Sequence, residues 1–404
     1  MTKPRIFINI HYLEIGGAES SLIGLLQTLD PRRVDVDLFV NEHRGEMMAY
    51  IPDWVNLLPE CKPYTMIESP IKKAVKAGYL HLAAARLWAK MCHRFYILRK
   101  HSDDGSVIYD YVNKCMMPFL PSLKRYGQYD LAIACLPPYG IVLDKVLAKK
   151  KICWIHTDYT QLAVHHSLAM SVWRGYDAAI CISDAVARTY CSVFPEMQDK
   201  VVCIENILSP DFIRRRADED PQPKDMIKAE NGYTLLTVGR YSYPKKLEEI
   251  PALCRRLISK GLVVRWYIIG YGGTDDYIRK AIADEGMQDF VVLLGKRENP
   301  YPYIKMCDWY VQPSRFEGKS VTVREAQVLG KPVIITAYPT SASQVINGVD
   351  GVIVPMDLDR CADGIAAALT DNVLEKNIAD YLAVHDYGNE REAETLYSLI
   401  SRSF

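Results

Sequence analysis

Tyr233-Thr234-Leu235-Leu236-Thr237-Val238-Gly239-Arg240 is a short apolar run that ends in a glycine turn. Such runs, rich in β-branched residues, recur along the chain with longer segments of helical period between them. This alternation predicts β-α-β units and a parallel sheet. Outward from Tyr233–Val238, further strands are expected at Val263–Ile269, Phe290–Leu294, Trp309–Gln312, Pro332–Thr336 and Gly351–Val354. The first half carries its own set at Arg5–Ile10, Asp35–Val40, Asp130–Ala134, Lys151–His156, Asp177–Ile182 and Val201–Ile204. Between the sets, Ser209–Gly232 holds Arg214-Arg215-Arg216, Asp218-Glu219-Asp220 and Pro221-Gln222-Pro223, and reads as a linker or surface excursion. The pattern then restarts. The expected fold class is therefore α/β, with two doubly wound, Rossmann-like domains and a cleft between them.

Composition excludes several functions. The 404 residues suit two or three domains at about 150 residues each. The 49 Lys and Arg balance 49 Asp and Glu, so no basic excess marks a nucleic-acid binder. The 11 Cys form no C-x-x-C pair, which suggests neither a zinc site nor a disulfide framework and fits a reducing compartment. The apolar run from Ile6 to Tyr12 is interrupted by Asn9 and His11 and is too short for a signal peptide. No stretch has the 18 or so consecutive apolar residues of a membrane-spanning helix. A cytoplasmic location is expected.

Glycine turns and helix N-termini after parallel strands bind phosphates, because free N–H groups and the helix dipole favour an anion there. Three places qualify. Gly16-Gly17-Ala18-Glu19-Ser20 follows the first strand; a simple tight turn is its other reading, and it does not match G-x-G-x-x-G. In Gly239-Arg240 through Lys245-Lys246, Arg240 and Lys245 would bring a guanidinium and an ammonium to one strand edge, which suits a pyrophosphate and the charge that grows on a leaving diphosphate. The third, Ser314-Arg315-Phe316-Glu317-Gly318-Lys319-Ser320-Val321, leads into a helix that carries Glu325 and ends near Gly330-Lys331-Pro332. Gly318 allows close approach to the backbone, and the amides of Lys319, Ser320 and Val321 would face a ligand, with Glu325 accepting from ribose hydroxyls.

The order and spacing of Gly-Arg-(four residues)-Lys, Glu-Gly-(six residues)-Glu-Ala and Gly330-Lys331-Pro332-Val333-Ile334 resemble the retaining nucleotide-sugar glycosyltransferases of family 4. That resemblance implies the GT-B fold, with a deep interdomain cleft. It implies domains at 1–208 (acceptor-binding), 209–385 (nucleotide-sugar-binding) and a C-terminal helix in 386–404 packing back on the first. It further implies that Arg240 and Lys245 form the diphosphate clamp, that Glu325 binds ribose, and that Glu317 lies near the donor sugar's hydroxyls beside the amides of Gly318 to Val321. Gly16 and Gly17 would face the donor phosphate, and His156 the transferring sugar. Asn206 and Ser183 match polar positions at the cleft edge. Lys319 and Lys246 depart from the pattern, standing where an uncharged residue and a glycine are frequent. The implied reaction is retaining transfer of a sugar, from a UDP-sugar by preference, to a glycan or polyprenyl-linked oligosaccharide. The three Asp-x-Asp triplets, Asp35-Val36-Asp37, Asp218-Glu219-Asp220 and Asp357-Leu358-Asp359, lie outside these motifs, and no metal and no other cofactor is expected. An epimerase or a non-catalytic nucleotide-sugar-binding protein shares the architecture.

Residues 46–125 match nothing in the family, and acceptor recognition is expected there. Within them, Ile71–Lys100 carries eight Lys and Arg and no Asp or Glu, interleaved with Leu87, Trp88, Met91 and Phe95. A basic amphipathic helix pair of this kind can lie on an anionic membrane, which would make the protein peripheral on the inner face of the cell membrane. An ordinary helix pair showing its lysines to water is the other reading.

Overall fold

The structure is a computed structural model and describes residues 3–100 and 107–401; the ends of the expected 1–208 and 386–404 segments, and 101–106, lie outside the described residues. The chain divides into two compact units, Met1–Ile207 with Glu390–Phe404, and Leu208–Asn389.

The first unit is built on seven parallel strands: β1 (Arg5–Ile10), β2 (Asp35–Val40), β3 (Asn56–Leu57), β4 (Gln128–Ala134), β5 (Leu147–Ile155), β6 (Ala178–Cys181) and β7 (Val201–Cys203). Their order is β3-β2-β1-β4-β5-β6-β7, which reverses direction between β1 and β4. β3 was not expected from the sequence, because two residues show no periodicity. β5 starts four residues before the expected Lys151 because its register follows the ladder, Gln128 opposite Leu147 through Ala134 opposite Cys153, and not side-chain polarity. The helix Glu392–Ser401 belongs to this unit. It buries Ala393, Leu396 and Leu399, and its Tyr397 hydroxyl accepts from the Asp30 amide at 2.7 Å.

The second unit repeats the plan with β8 (Tyr233–Val238), β9 (Val264–Ile269), β10 (Val291–Gly295), β11 (Trp309–Gln312), β12 (Val333–Thr336) and β13 (Val352–Val354). The order is β10-β9-β8-β11-β12-β13, with its own reversal between β8 and β11. The supposed linker needs correction. Its first part is a helix, Pro210–Ala217, capped by the Ser209 hydroxyl and burying Phe212, Ile213, Arg216 and Ala217. The charged triplets hid the helical spacing of those residues.

The segment 71–100 forms two helices, Ile71–Lys76 and Leu80–Lys100. Their inward positions are small, with Ala74, Ala83, Ala85 and Ala89 buried alongside Leu82, while Leu87, Trp88, Met91, Phe95 and Leu98 are each more than half exposed. An ordinary solvated helix would have that arrangement reversed. Arg86 is no surface cation; it turns inward onto the carbonyls of Met66 and Ser69. The Lys100 side chain lies outside the described residues.

Candidate functional site

The C-terminal ends of β8 and β11 are neighbours at the strand-order reversal, where open α/β sheets bind ligands. From β8 comes the loop with Arg240, Lys245 and Lys246, and from β11 the loop Ser314–Ser320. Arg315 joins them: its amide donates to the Pro244 carbonyl at 2.7 Å, its guanidinium donates to the Tyr243 carbonyl, and it pairs with Glu248 at 2.7 Å. The β9 loop can press on the β8 loop because Gly270, at φ +154°, lies where any Cβ would strike the Gly239 carbonyl.

Lys245 and Glu317 come together. The ammonium is 2.7 Å from Glu317 Oε1, and both side chains are largely buried. The same oxygen accepts from Gln312 Nε2 at 2.8 Å and Ser314 Oγ at 2.5 Å, and Tyr310 in turn donates to Gln312 Oε1 at 2.7 Å. Glu317 thus ends a chain of hydrogen bonds that fixes Lys245 at the C-terminal edge of this sheet. Arg240 does not join this group. Its side chain is exposed and, among the described residues, has no ion-pair partner. Lys246 adopts the left-handed backbone at φ +56°, which explains why a glycine would suit the position. Its ammonium donates to the Met356 carbonyl and pairs with Glu249, both at 2.8 Å.

Glu325, on the helix Val321–Val328, is buried and its Oε1 accepts from the Tyr301 hydroxyl at 2.8 Å. Burial pushes its carboxyl up to about 7, against the Tyr301 bond. The expected amide cradle is partly filled from within the unit: the Ser320 N–H donates to Gln344 Oε1 at 2.9 Å, and Gln344 Nε2 returns a bond to the Ser320 carbonyl. Gly318 and Lys319 are half-buried in the same loop, and Val321 opens a helix whose Ser320 hydroxyl does not cap it. A buried Gln at 344 and one at 312 ending a strand were the signals that sequence reasoning passed over.

In the first unit, Gly16 precedes the helix Gly17–Thr28, but the Glu19 carboxylate folds over it, within 2.3 Å of where a Gly16 Cβ would stand. That helix end thus has the Glu19 carboxylate beside it. Ser183 is committed as the cap of the helix Asp184–Val193, accepting from the Val186 amide at 3.2 Å. His156 and Asn206 are brought together in a hydrogen bond, and burial holds the imidazole down to about 4, so it is neutral.

Residues 218–383 match the family model described as glycosyl transferases group 1. The second unit is a glycosyl transferases group 1 domain. Among curated relatives, an uncharacterized glycosyltransferase of Methanocaldococcus jannaschii is 24% identical over 247 residues, covering 58% of this chain and 60% of its own length. An N-acetylgalactosaminyltransferase of Campylobacter jejuni, named for a diphospho-undecaprenol substrate, is 26% identical over 179 residues, 44% of this chain and 46% of its own length. The match to the first of these therefore spans less than two thirds of that relative. Over nearly its whole length the chain shares the GT-B fold of solved glycosyltransferases. Anabaena HepE in complex with UDP and glucose superposes with a TM-score of 0.66 at 15% identity, covering 99% of this chain and all of that one. Staphylococcus aureus TarM gives 0.63 at 13%, covering 99% and 100%. The group 1 domain carries the Lys245–Glu317 pair, Glu325 and the Ser320 helix start within its matched residues.

Proposed function

We propose that this chain is a retaining glycosyltransferase that moves a sugar from a UDP-sugar to a hydroxyl of a glycan or polyprenyl-linked oligosaccharide. The observation that carries this reading is Lys245, held beside Glu317 at the strand reversal of a group 1 domain. A donor diphosphate offers Lys245 a second anion, and the ammonium then stabilises charge on the departing phosphate. Arg240, exposed and unpaired on the same loop, adds the second cation once a diphosphate is bound. Glu317 positions Lys245 and meets donor-sugar hydroxyls; Glu325 takes the ribose. Both cations, with the helix end at Ser320, replace a metal, and attack on the donor's front face passes the acceptor proton to the leaving phosphate oxygen. UDP bound to HepE and lipid-linked substrates in relatives' names support donor and acceptor classes.

The test is incubation with UDP-sugars, with and without a polyprenyl-diphosphate glycan, in EDTA. Acceptor-dependent UDP release and an α-configured product from an α-configured donor are expected. UDP binding without turnover would make it a binding protein, a 2-epimerised sugar nucleotide an epimerase, and strict need for Mn²⁺ would overturn the cation argument.

The acceptor class agrees with the helices Ile71–Lys76 and Leu80–Lys100. Exposed Trp88, Phe95, Met91 and Leu98 with Lys72, Lys76, Lys90 and Arg94 fit the interface of an anionic bilayer on the cytoplasmic side. Among the described residues, no helix is long and apolar enough to cross a membrane.

A further inference from the structure

Glu325 sits just past the first turn of the helix Val321–Val328, and the short helix Tyr301–Met306 packs against it. One hydrogen bond joins the two: the Tyr301 hydroxyl donates to Glu325 Oε1 at 2.8 Å. Both side chains are buried, and among the described residues this hydroxyl is the one donor to that carboxylate. Tyr301 is itself braced. Its amide donates to Asn299 Oδ1 at 3.2 Å, and Asn299 Nδ2 donates to the Arg216 carbonyl at 2.7 Å. Arg216 is buried at the end of the helix Pro210–Ala217, and its guanidinium donates to the Glu298 carbonyl at 3.4 Å. The helices Pro210–Ala217, Tyr301–Met306 and Val321–Val328 therefore lock together within the second unit, with the Tyr301 hydroxyl aimed at Glu325.

A glutamate side chain turns about several bonds, and a buried carboxylate without a donor either swings away or takes up a proton. A phenol whose ring is packed removes that freedom before any ligand arrives, which lowers the entropy lost on binding. A hydrogen bond to the charged form also favours ionisation, here against the pull of burial. The two oxygens of a carboxylate offer about four lone-pair sites, so one bond to Tyr301 leaves room for the pair that a vicinal diol donates. We propose that Tyr301 is a positioning residue: its hydroxyl holds Glu325 Oε1 so that the remaining acceptor sites face the ribose hydroxyls of the donor, while Tyr301 itself touches no nucleotide. This rests on the ribose role proposed for Glu325. Through Asn299, the stretch that reads as a charged linker thereby supports nucleotide recognition.

The experiment measures binding of UDP and of 2′,3′-dideoxy-UDP to the full chain by calorimetry, for the parent, Tyr301→Phe, Glu325→Ala and the double variant. The parent should prefer UDP about a hundredfold, because two hydroxyls then bond to a charged group. Tyr301→Phe should cut that preference to about tenfold by weakening UDP alone, with dideoxy-UDP held within about twofold of the parent. A merely structural tyrosine would weaken both nucleotides alike. Glu325→Ala should cut the preference at least as far. Adding Tyr301→Phe to Glu325→Ala should change neither affinity, since the hydroxyl acts only through that carboxylate. If Tyr301→Phe alone does not fold, with a buried carboxylate left without its donor, the double variant lacks that carboxylate and must bind both nucleotides as Glu325→Ala does. An unchanged preference in Tyr301→Phe, an equal loss for the two nucleotides, or a further loss on top of Glu325→Ala would overturn the proposal. A parent that binds neither nucleotide, or does not tell them apart, would overturn it together with the ribose role of Glu325. Failure of the transferase reading looks different: the two nucleotides bind with the expected pattern while no sugar leaves a UDP-sugar.

Discussion

Lys245 shows how one side chain serves fold and chemistry together. Its pair with Glu317 is only 2.7 Å long and mostly shielded from water, so it survives salt better than a surface pair would. Lys245→Ala leaves Glu317 with Gln312 and Ser314 as donors, and the fold should hold. Transfer should nevertheless fall about a hundredfold, since loss of one preorganised partner of a transition-state anion costs roughly 3 kcal/mol. Turnover near that of the parent, measured with saturating UDP-sugar, would refute the role. Asp110 offers a second measurement at this scale. Its carboxyl titrates near 3.8 when exposed and near 7 in the folded chain because of burial. Below about pH 4 both states hold the proton and nothing is contributed; between 4 and 7 the native state alone holds it, so stability falls as pH rises. His156, depressed from 6.5 to about 4, makes stability rise with pH across the same window, an opposite trend that parent and variant share and that cancels in their difference. The stability of Asp110→Asn minus that of the parent, from urea melts, should therefore grow from near zero at pH 4 to a few kcal/mol at pH 7, at about 1.4 kcal/mol per pKa unit. A flat difference would mean the carboxyl is solvated.

Among the elements, the helix Leu80–Lys100 departs most from ordinary packing. Small residues face the first unit and large apolar ones face outward, so nothing among the described residues explains Trp88 and Phe95 at 59% and 69% exposure. Docking on acidic lipid would combine a salt-sensitive part, about 1 kcal/mol for each basic residue near the surface, with a salt-resistant apolar part. Sedimentation with vesicles rich in acidic lipid is expected, much less with neutral ones. Replacing Lys72, Lys76, Lys90 and Arg94 by Gln should remove the dependence on acidic lipid. Trp88→Ser with Phe95→Ser should remove the binding that persists at high salt. Arg86 is left out of that set because its guanidinium is bonded to backbone carbonyls. A parent protein that ignores acidic vesicles would return these helices to the role of a solvated surface.

Taken whole, the chain consists of two sheets with separate cores, yet its C-terminal residues return to the unit that its N-terminus began. The Arg33 guanidinium lies over the Tyr397 ring at 3.7 Å and pairs with Glu394, while the Lys150 ammonium donates to the carbonyls of Leu399 and Ile400. Ending the chain at Asn389 would uncover the surface beneath Leu396 and Leu399. At roughly 2 kcal/mol for each buried Leu, the first unit should lose about 4 kcal/mol or more. Calorimetry should show its transition at lower temperature while that of the second unit stays in place. Equal shifts in both would mean the helix does not act through the first unit.

The sequence alone determined the parallel strands and the group 1 motifs. Both are local signals: Tyr233–Val238 and Trp309–Gln312 are runs whose bounds follow from side-chain type, and Gly239-Arg240, Lys245, Glu317 and Glu325 are fixed by spacing along one chain. It also marked His156 and Asn206, though not that they bond to each other. What only the tertiary structure decided depends on residues far apart in the chain. Gln344 reaches back to Ser320, Glu19 folds over Gly16, and Arg216 turns inward from what reads as a charged linker. The exposed face of Leu80–Lys100 is likewise invisible to periodicity, which counts how often apolar residues recur and not which face finds a partner. Burial is a property of the packed unit, and so are the pairings and proton affinities that follow from it.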